Sequence, residues 1–269
     1  MGEDIIAFQG YMARWLSGYN FLGNDGLRAY DDIHAPVVVY GGYYADTLRV
    51  IREHKGIVII VWAGADTRKC TDVALYNREN VINLVTFQSM YDMLRSKGIR
   101  CYLSRVTSNK PPCPLVRGGK VYTYIHQDDE KKYNRAMVDQ LRVPYEIFIA
   151  RLLIDKKEWY GGVCDEYYSQ SFIGLALSDF TGGGYTIFEM GLRGIRVVTN
   201  IIDMPHTIPW RTREDIERAI NGEAGKIGTM DAGLADEVCR SMIDVKGAYD
   251  LSKVIIDYGE HKEALQRAF

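Results

Sequence analysis

The stretch from Phe172 to Asn200 constrains the fold more than any other part of the chain. A short apolar run, Phe172 to Leu177, leads through Ser178, Asp179, Phe180 and Thr181 into three consecutive glycines, Gly182, Gly183 and Gly184. A helix-patterned segment follows, then a short loop and a second β-rich run that ends the stretch. The pattern reads strand, glycine turn, helix, short loop, strand. A triple glycine is disfavoured by backbone entropy unless the backbone must approach something closely. At a helix start, unpaired N–H groups and the positive dipole end attract an anion, and glycine admits a phosphate to the backbone. Glu189 falls about one and a half turns into this helix by the ~3.6-residue period. It lies too deep to be a cap but can project toward whatever the loop holds. A tight strand-turn-helix without a ligand is the alternative reading of the same residues.

The rest of the chain repeats this rhythm. Val37–Tyr40 reads as a strand, Ala45–Glu53 as a helix and Ile57–Trp62 as a second strand. Val81–Phe87 is a third strand, Ser89–Ser96 a helix with Ser89 as its N-cap, and Arg100–Arg105 a fourth strand. Continuous apolar runs such as Ile57 to Val61 suit strands covered by helices on both faces, and hence a parallel sheet. The pattern then breaks. Thr107 to Gly119 holds three prolines and two glycines and can be neither helix nor central strand. Beyond this linker come a strand at Val121–Ile125, a helix at Asp129–Leu141 and a strand at Tyr145–Ile149. The glycine-bearing segment follows, then helices at Arg213–Ile220, Gly233–Ile243 and Tyr249–Ala268. Residues 1–35, rich in Gly, Tyr and Asp, read as an irregular or helical cap.

The strand, the Gly182–Gly184 turn and the helix carrying Glu189 resemble the signature of retaining GT-B glycosyltransferases, with their group 1 (family 4-like) C-terminal domain. The resemblance covers roughly residues 36–255 as organisation, and 120–200 in motif detail. It implies an α/β fold of two Rossmann-like parallel-sheet domains facing a cleft. Residues 1–110 would form a short acceptor-side domain. Residues 111–269 would bind the nucleotide sugar, with the final helix crossing back to the first half. In this family the turn holds the donor's diphosphate and the helix carboxylate binds the nucleotide ribose. That assigns Gly182, Gly183, Gly184 and Tyr185 to the diphosphate loop and Glu189 to the ribose. The family's usual first acid would stand at Thr181, with Asp179 two residues earlier; Thr181 or Asp179 would face the sugar. His126 falls roughly at the family's diphosphate arginine, and Lys131 or Lys132 at its lysine. A solvated helix face explains the two lysines equally well. Arg151, just past a strand, is a further phosphate or base contact.

In the first half, Gly41 and Gly42 join strand to helix, where they either face the diphosphate or make a plain tight turn, and Asp46 is a cap candidate. Asp66 is the acceptor-side carboxylate candidate, able to bind or deprotonate a hydroxyl, with structural capping as the alternative. Tyr43, Tyr44 and Trp62 are candidate glycan contacts. His34 and His54 read as structural.

Composition removes several function classes. A net charge of −2 gives no overall pull toward nucleic acid or anionic lipid. Arg105, Lys110, Arg117 and Lys120 cluster near the linker and are candidate DNA phosphate contacts, with a solvated linker as the alternative. The five cysteines, Cys70, Cys101, Cys113, Cys164 and Cys239, are odd in number and form no C-x-x-C, which fits a reducing compartment. Glu3 and Asp4 replace the basic start of a signal peptide, and the longest apolar run is too short to span a bilayer. No metal-ligand spacing appears, and no cofactor is expected beyond a nucleotide-sugar donor, UDP-linked by resemblance. The expectation is a cytoplasmic glycosyltransferase, acting with retention on a glycan, a small hydroxyl compound or a modified DNA base, as in a viral or phage enzyme. A non-catalytic binding module of the same fold is the rival, and a nucleotide-sugar epimerase a third reading.

Overall fold

Two sheets, every strand pair of which is parallel, carry the described structure. The computed structural model describes residues 5–8, 10, 26–62, 64, 66–105, 111–125, 130–150, 163–178 and 184–258. By its internal contacts the chain divides into Met1–Asn109 with Met242–Phe269, and Lys110–Ser241. The final helix is therefore grouped with the first unit rather than the second.

In the first unit the strands are β1 (Ile6–Phe8), β2 (Arg28–Ala29), β3 (Val37–Tyr40), β4 (Val58–Trp62), β5 (Val81–Val85) and β6 (Tyr102–Leu103), in the order β2-β1-β3-β4-β5-β6. All residues of β3, β4 and β5 are buried, as strands covered on both faces require. The helices are α1 (Ala45–Glu53), α2 (Asp66–Lys69), α3 (Val73–Tyr76) and α4 (Gln88–Ser96). Residues 1–35 are not simply a cap, because β1 enters the sheet between β2 and β3. Three residues are too few to show a period. Helix α4 starts one residue earlier than expected, with Phe87 rather than Ser89 at its N-cap and no side-chain cap. Tyr44, not Asp46, caps α1 in position, again without a side-chain bond. His54 is buried, its Nε2 2.8 Å from the Ala35 carbonyl and its Nδ1 3.3 Å from the Tyr30 hydroxyl.

The second unit has strands β7 (Lys120–Tyr124), β8 (Ile147–Ala150), β9 (Ser171–Ala176), β10 (Arg196–Thr199) and β11 (Thr207–Ile208), ordered β11-β10-β9-β7-β8. Its helices are α5 (Arg135–Asp139), α6 (Val163–Ser169), α7 (Gly184–Leu192), α8 (Arg213–Glu223) and α9 (Ala232–Arg240). Val121, Phe172, Ile173, Leu175, Val198, Ile216 and Ile220 form the centre of one core. A capping box starts α8: Thr212 Oγ1 accepts from Asp215 N–H, and the Asp215 carboxylate accepts from Thr212 N–H. The expected helix from Asp129 is described only over Arg135–Asp139, because Asn134 sits in the left-handed region at φ 54°. Helix α10 (Val245–Tyr258) belongs to the first unit, where it packs on β4 with Ala248, Leu251 and Ser252 buried.

His206, between β10 and β11, packs against α7 at Gly191, where an added Cβ would fall 2.7 Å from the ring. Its Nε2 is 2.7 Å from the Ile187 carbonyl, and its Nδ1 is buried without a hydrogen-bond partner. A carbonyl only accepts, so the ring is neutral with its proton on Nε2. Burial lowers its pKa to about 4, the Ile187 carbonyl opposing and Arg196 assisting. An unfolded histidine takes a proton near pH ~6.5. Between those values the unfolded chain binds the extra proton, so this contribution is complete above pH ~6.5 and is lost as pH falls toward 4, by about 3 kcal/mol. Urea unfolding of the wild type and His206→Gln should therefore give a stability difference that shrinks by about 3 kcal/mol between roughly pH 7.5 and 4. A difference independent of pH would exclude the ring as the responsible group.

Candidate functional site

Strand order fixes where each sheet can hold a ligand. In doubly wound sheets, ligands sit beyond the carboxyl ends of the strands where the order reverses. In the second unit β7 is followed by β8 on one side and, after the chain returns, by β9 on the other, so the reversal lies between β7 and β9. In the first unit β1 has β2 on one side and β3 on the other, which places the reversal between β1 and β3. Glycines follow β1, β3 and β9: Gly10, Gly41 with Gly42, and the glycine run ending at Gly184.

At the second reversal, α7 begins at Gly184 beyond β9. Asp179, Thr181, Gly182, Gly183, Arg151 and His126 lie outside the described residues, as does the side chain of Tyr185. The turn after β7 is fastened to the same end of the sheet, because Asn134 Nδ2 donates to the Leu177 carbonyl at 2.8 Å. Lys131 and Lys132 belong to that turn; Lys131 is exposed, and the Lys132 ammonium sits 5.3 Å from the Tyr133 ring centroid. The left-handed Asn134 was not anticipated, although Asn is among the few residues that adopt this region readily.

Glu189 is half-buried on a helix that otherwise buries Thr186, Ile187, Phe188, Met190 and Leu192. Its Oε2 accepts a 2.7 Å hydrogen bond from the hydroxyl of Tyr168 on α6. The Arg193 guanidinium lies 5.0 Å from the Tyr168 ring centroid and donates to the Glu189 carbonyl at 2.7 Å. Tyr122 of β7 meets the Tyr168 ring edge-on at 5.1 Å. Neither Tyr168 nor Arg193 stood out in the sequence, since pairing between α6 and α7 leaves no local spacing signal.

The β3–α1 loop of the first unit is braced from several sides. Gly41 has φ 73° and needs glycine; Gly42 packs on the Trp62 indole, where an added Cβ would fall 2.6 Å from Cη2. The Gly42 carbonyl accepts from the Tyr76 hydroxyl, and its N–H donates to Asp66 Oδ2 at 3.3 Å. Burial pushes the Tyr76 phenol up, so it stays a donor. Asp66 is 1% exposed and its Oδ1 accepts from Thr67 N–H at 3.1 Å. This geometry fits a carboxylate that braces the loop, the alternative left open by the sequence. Trp62 Nε1 donates to Asn83 Oδ1 at 3.1 Å, and Asn83 Nδ2 donates to the Tyr76 carbonyl at 2.8 Å, which closes the network. The Tyr43 and Tyr44 rings lie 4.0 Å apart, with the Lys69 ammonium 4.7 Å from the Tyr43 centroid.

The expectation of a basic cluster near the linker is corrected at Arg117. Arg117 is 2% exposed, its guanidinium donating to the Gly194 carbonyl and to Asp231, so it cannot meet a DNA phosphate. Lys120 pairs with Glu146 at 2.9 Å, and Lys110 lies outside the described residues. Among the described residues, no group of three or more His, Cys, Asp or Glu is placed to hold a metal ion. Nor is any helix among them long and apolar enough to cross a membrane.

No protein-family model matches the chain, and no curated protein matches it. Among solved structures the chain is similar to the pneumococcal O-GlcNAc transferase GtfA in complex with UDP and GlcNAc. The TM-score is 0.44 at 12% sequence identity, over 84% of this chain and 57% of that one. The chain thus spans a little over half the length of that structure.

Gly42→Ala should force its Cβ into the Trp62 ring and destabilise the protein by about 1–3 kcal/mol. Urea unfolding followed by tryptophan fluorescence measures this. An unchanged midpoint would mean that the loop tolerates displacement from the indole.

Proposed function

We propose that the chain is a glycosyltransferase that takes a sugar from a nucleotide-sugar donor, built on a GT-B plan with the nucleotide at the second unit. The observation that carries this reading is a glycine-started helix at the reversal point of a doubly wound sheet, bearing Glu189 as its one charged residue. A helix start at glycine suits a diphosphate and the carboxylate suits a ribose diol. On this reading Gly182, Gly183, Gly184 and Tyr185 receive the diphosphate, with Lys131, Lys132 and Arg151 supplying positive charge. Thr181 or Asp179 faces the sugar. Uridine as the base, and transfer with retention, complete the proposal.

The acceptor side is assigned to the first unit. There the Gly41–Gly42 loop, braced by Asp66, presents Tyr43 and Tyr44, whose half-buried rings suit a sugar face. A glycan or small hydroxyl acceptor is favoured over DNA, because burial of Arg117 removes one of the four expected phosphate contacts. A non-catalytic sugar-nucleotide binding module is the second reading, motivated by Thr181 standing where related motifs hold an acid.

Screening UDP-, GDP- and ADP-sugars for thermal stabilisation and hydrolysis tests the proposal. A donor at about 100 times its dissociation constant should add roughly 2.7 kcal/mol of stability. Glu189→Ala should weaken nucleotide binding by about 1.5–3 kcal/mol, the range for a hydrogen bond to a charged group. Binding without turnover selects the module; unchanged affinity in the variant removes Glu189 from the site.

A further inference from the structure

A carboxylate on a helix that buries nearly every neighbour is costly, and an apolar residue would pack there more cheaply. Tyr168 has the same character. It is 1% exposed, and its hydroxyl would need no acceptor if the residue were phenylalanine. The two costs offset each other through one bond, Tyr168 Oη to Glu189 Oε2 at 2.7 Å.

The Tyr168 ring is itself held in place. Tyr122 meets it edge-on from β7, and the Arg193 guanidinium covers it at 5.0 Å. Arg193 also donates to the Glu189 main-chain carbonyl, so one side chain grips both partners. A cation over a phenol ring draws electron density from it and strengthens the O–H as a donor. A free glutamate side chain samples several rotamers, and ordering it on binding costs about 0.5–1.5 kcal/mol. Here the bond from Tyr168, a residue of the fold itself, fixes the Glu189 side chain. A carboxylate offers about four lone-pair positions, so a bond from Tyr168 and one from a ribose hydroxyl are chemically compatible on the same group.

We propose that Tyr168, supported by Arg193, is a positioning residue that presets the Glu189 carboxylate for the ribose hydroxyls of a nucleoside diphosphate. This rests on the assignment of Glu189 to the donor nucleotide. Tyr168 touches no reacting atom and acts through Glu189.

Isothermal titration of the full chain with UDP, ADP and GDP tests it, using wild type, Tyr168→Phe, Glu189→Ala and the double variant. Tyr168→Phe keeps the ring and removes only the hydroxyl. It should weaken binding of the recognised diphosphate about three- to tenfold. Combined with Glu189→Ala it should add little further loss, because Tyr168 acts through the carboxylate that this change removes. The ratio of affinities for the ribo- and 2′-deoxyribonucleotide should narrow in Tyr168→Phe, a change that a merely structural tyrosine would not produce. Arg193→Met is the second variant, should Tyr168→Phe fail to fold, and should weaken binding in the same direction.

Wild-type affinity in folded Tyr168→Phe, or losses that simply add, would overturn the positioning role while leaving Glu189 in the site. Failure of the wild type to bind any of the three diphosphates would overturn the donor assignment and this proposal with it.

Discussion

Parallel strands cannot be joined by hairpins. Each must be followed by a crossover that returns the chain to its starting edge. Applied to the eleven strands among the described residues, this constraint gathers their carboxyl ends, and the loops that leave them, along one edge of each sheet. It also buries both faces of the central strands, so the polar side-chain groups of β3, β4 and β5 are confined to the Tyr40 hydroxyl, the Trp62 indole N–H and the Asn83 amide. Whatever the protein binds must be met by loops and helix starts at those edges. Gly184, Asn134, Gly42 and Asp66 lie at such ends because the topology allows few other places for them.

Two of the polar side chains that enter the interior are engaged several times over. Asn83 spends its amide on Trp62, Tyr76 and the Arg100 carbonyl; Arg117 spends its guanidinium on Gly194 and Asp231. Low dielectric makes these bonds strong and makes losing one partner expensive. Such networks fix loop positions more tightly than apolar packing does, since a hydrogen bond has direction. The β3–α1 loop is the clearest case, held by a carbonyl, an N–H and an indole face simultaneously.

Much of this arrangement was legible from residues alone. The run Ile57 to Val61 announced a doubly covered strand, and the glycine run announced a strand passing into α7. Local signals of this kind survive folding because they act through backbone entropy and burial. Arg117 was not legible. A lone arginine beside prolines and glycines carries no period, and its burial depends on a carbonyl 77 residues away. Tyr168 was hidden for the same reason, and β1 because three residues cannot display an alternation. Ser89 looked like the natural cap of α4, yet Phe87 holds that position, because packing of the buried Phe87 ring outweighs a cap of about 1 kcal/mol.

Asp231 does two jobs with one carboxylate. Oδ1 accepts from Leu234 N–H to start α9, and Oδ2 accepts from Arg117, which lies just before β7. The backbones around it are also joined, Arg117 N–H to the Thr229 carbonyl and Gly228 N–H to that of Arg117. The entry to the second sheet and a helix more than a hundred residues later therefore share a single fastening. In the language of hydrogen exchange they form one foldon: the amides of α9 and of the segment entering β7 would lose protection together, at one opening free energy.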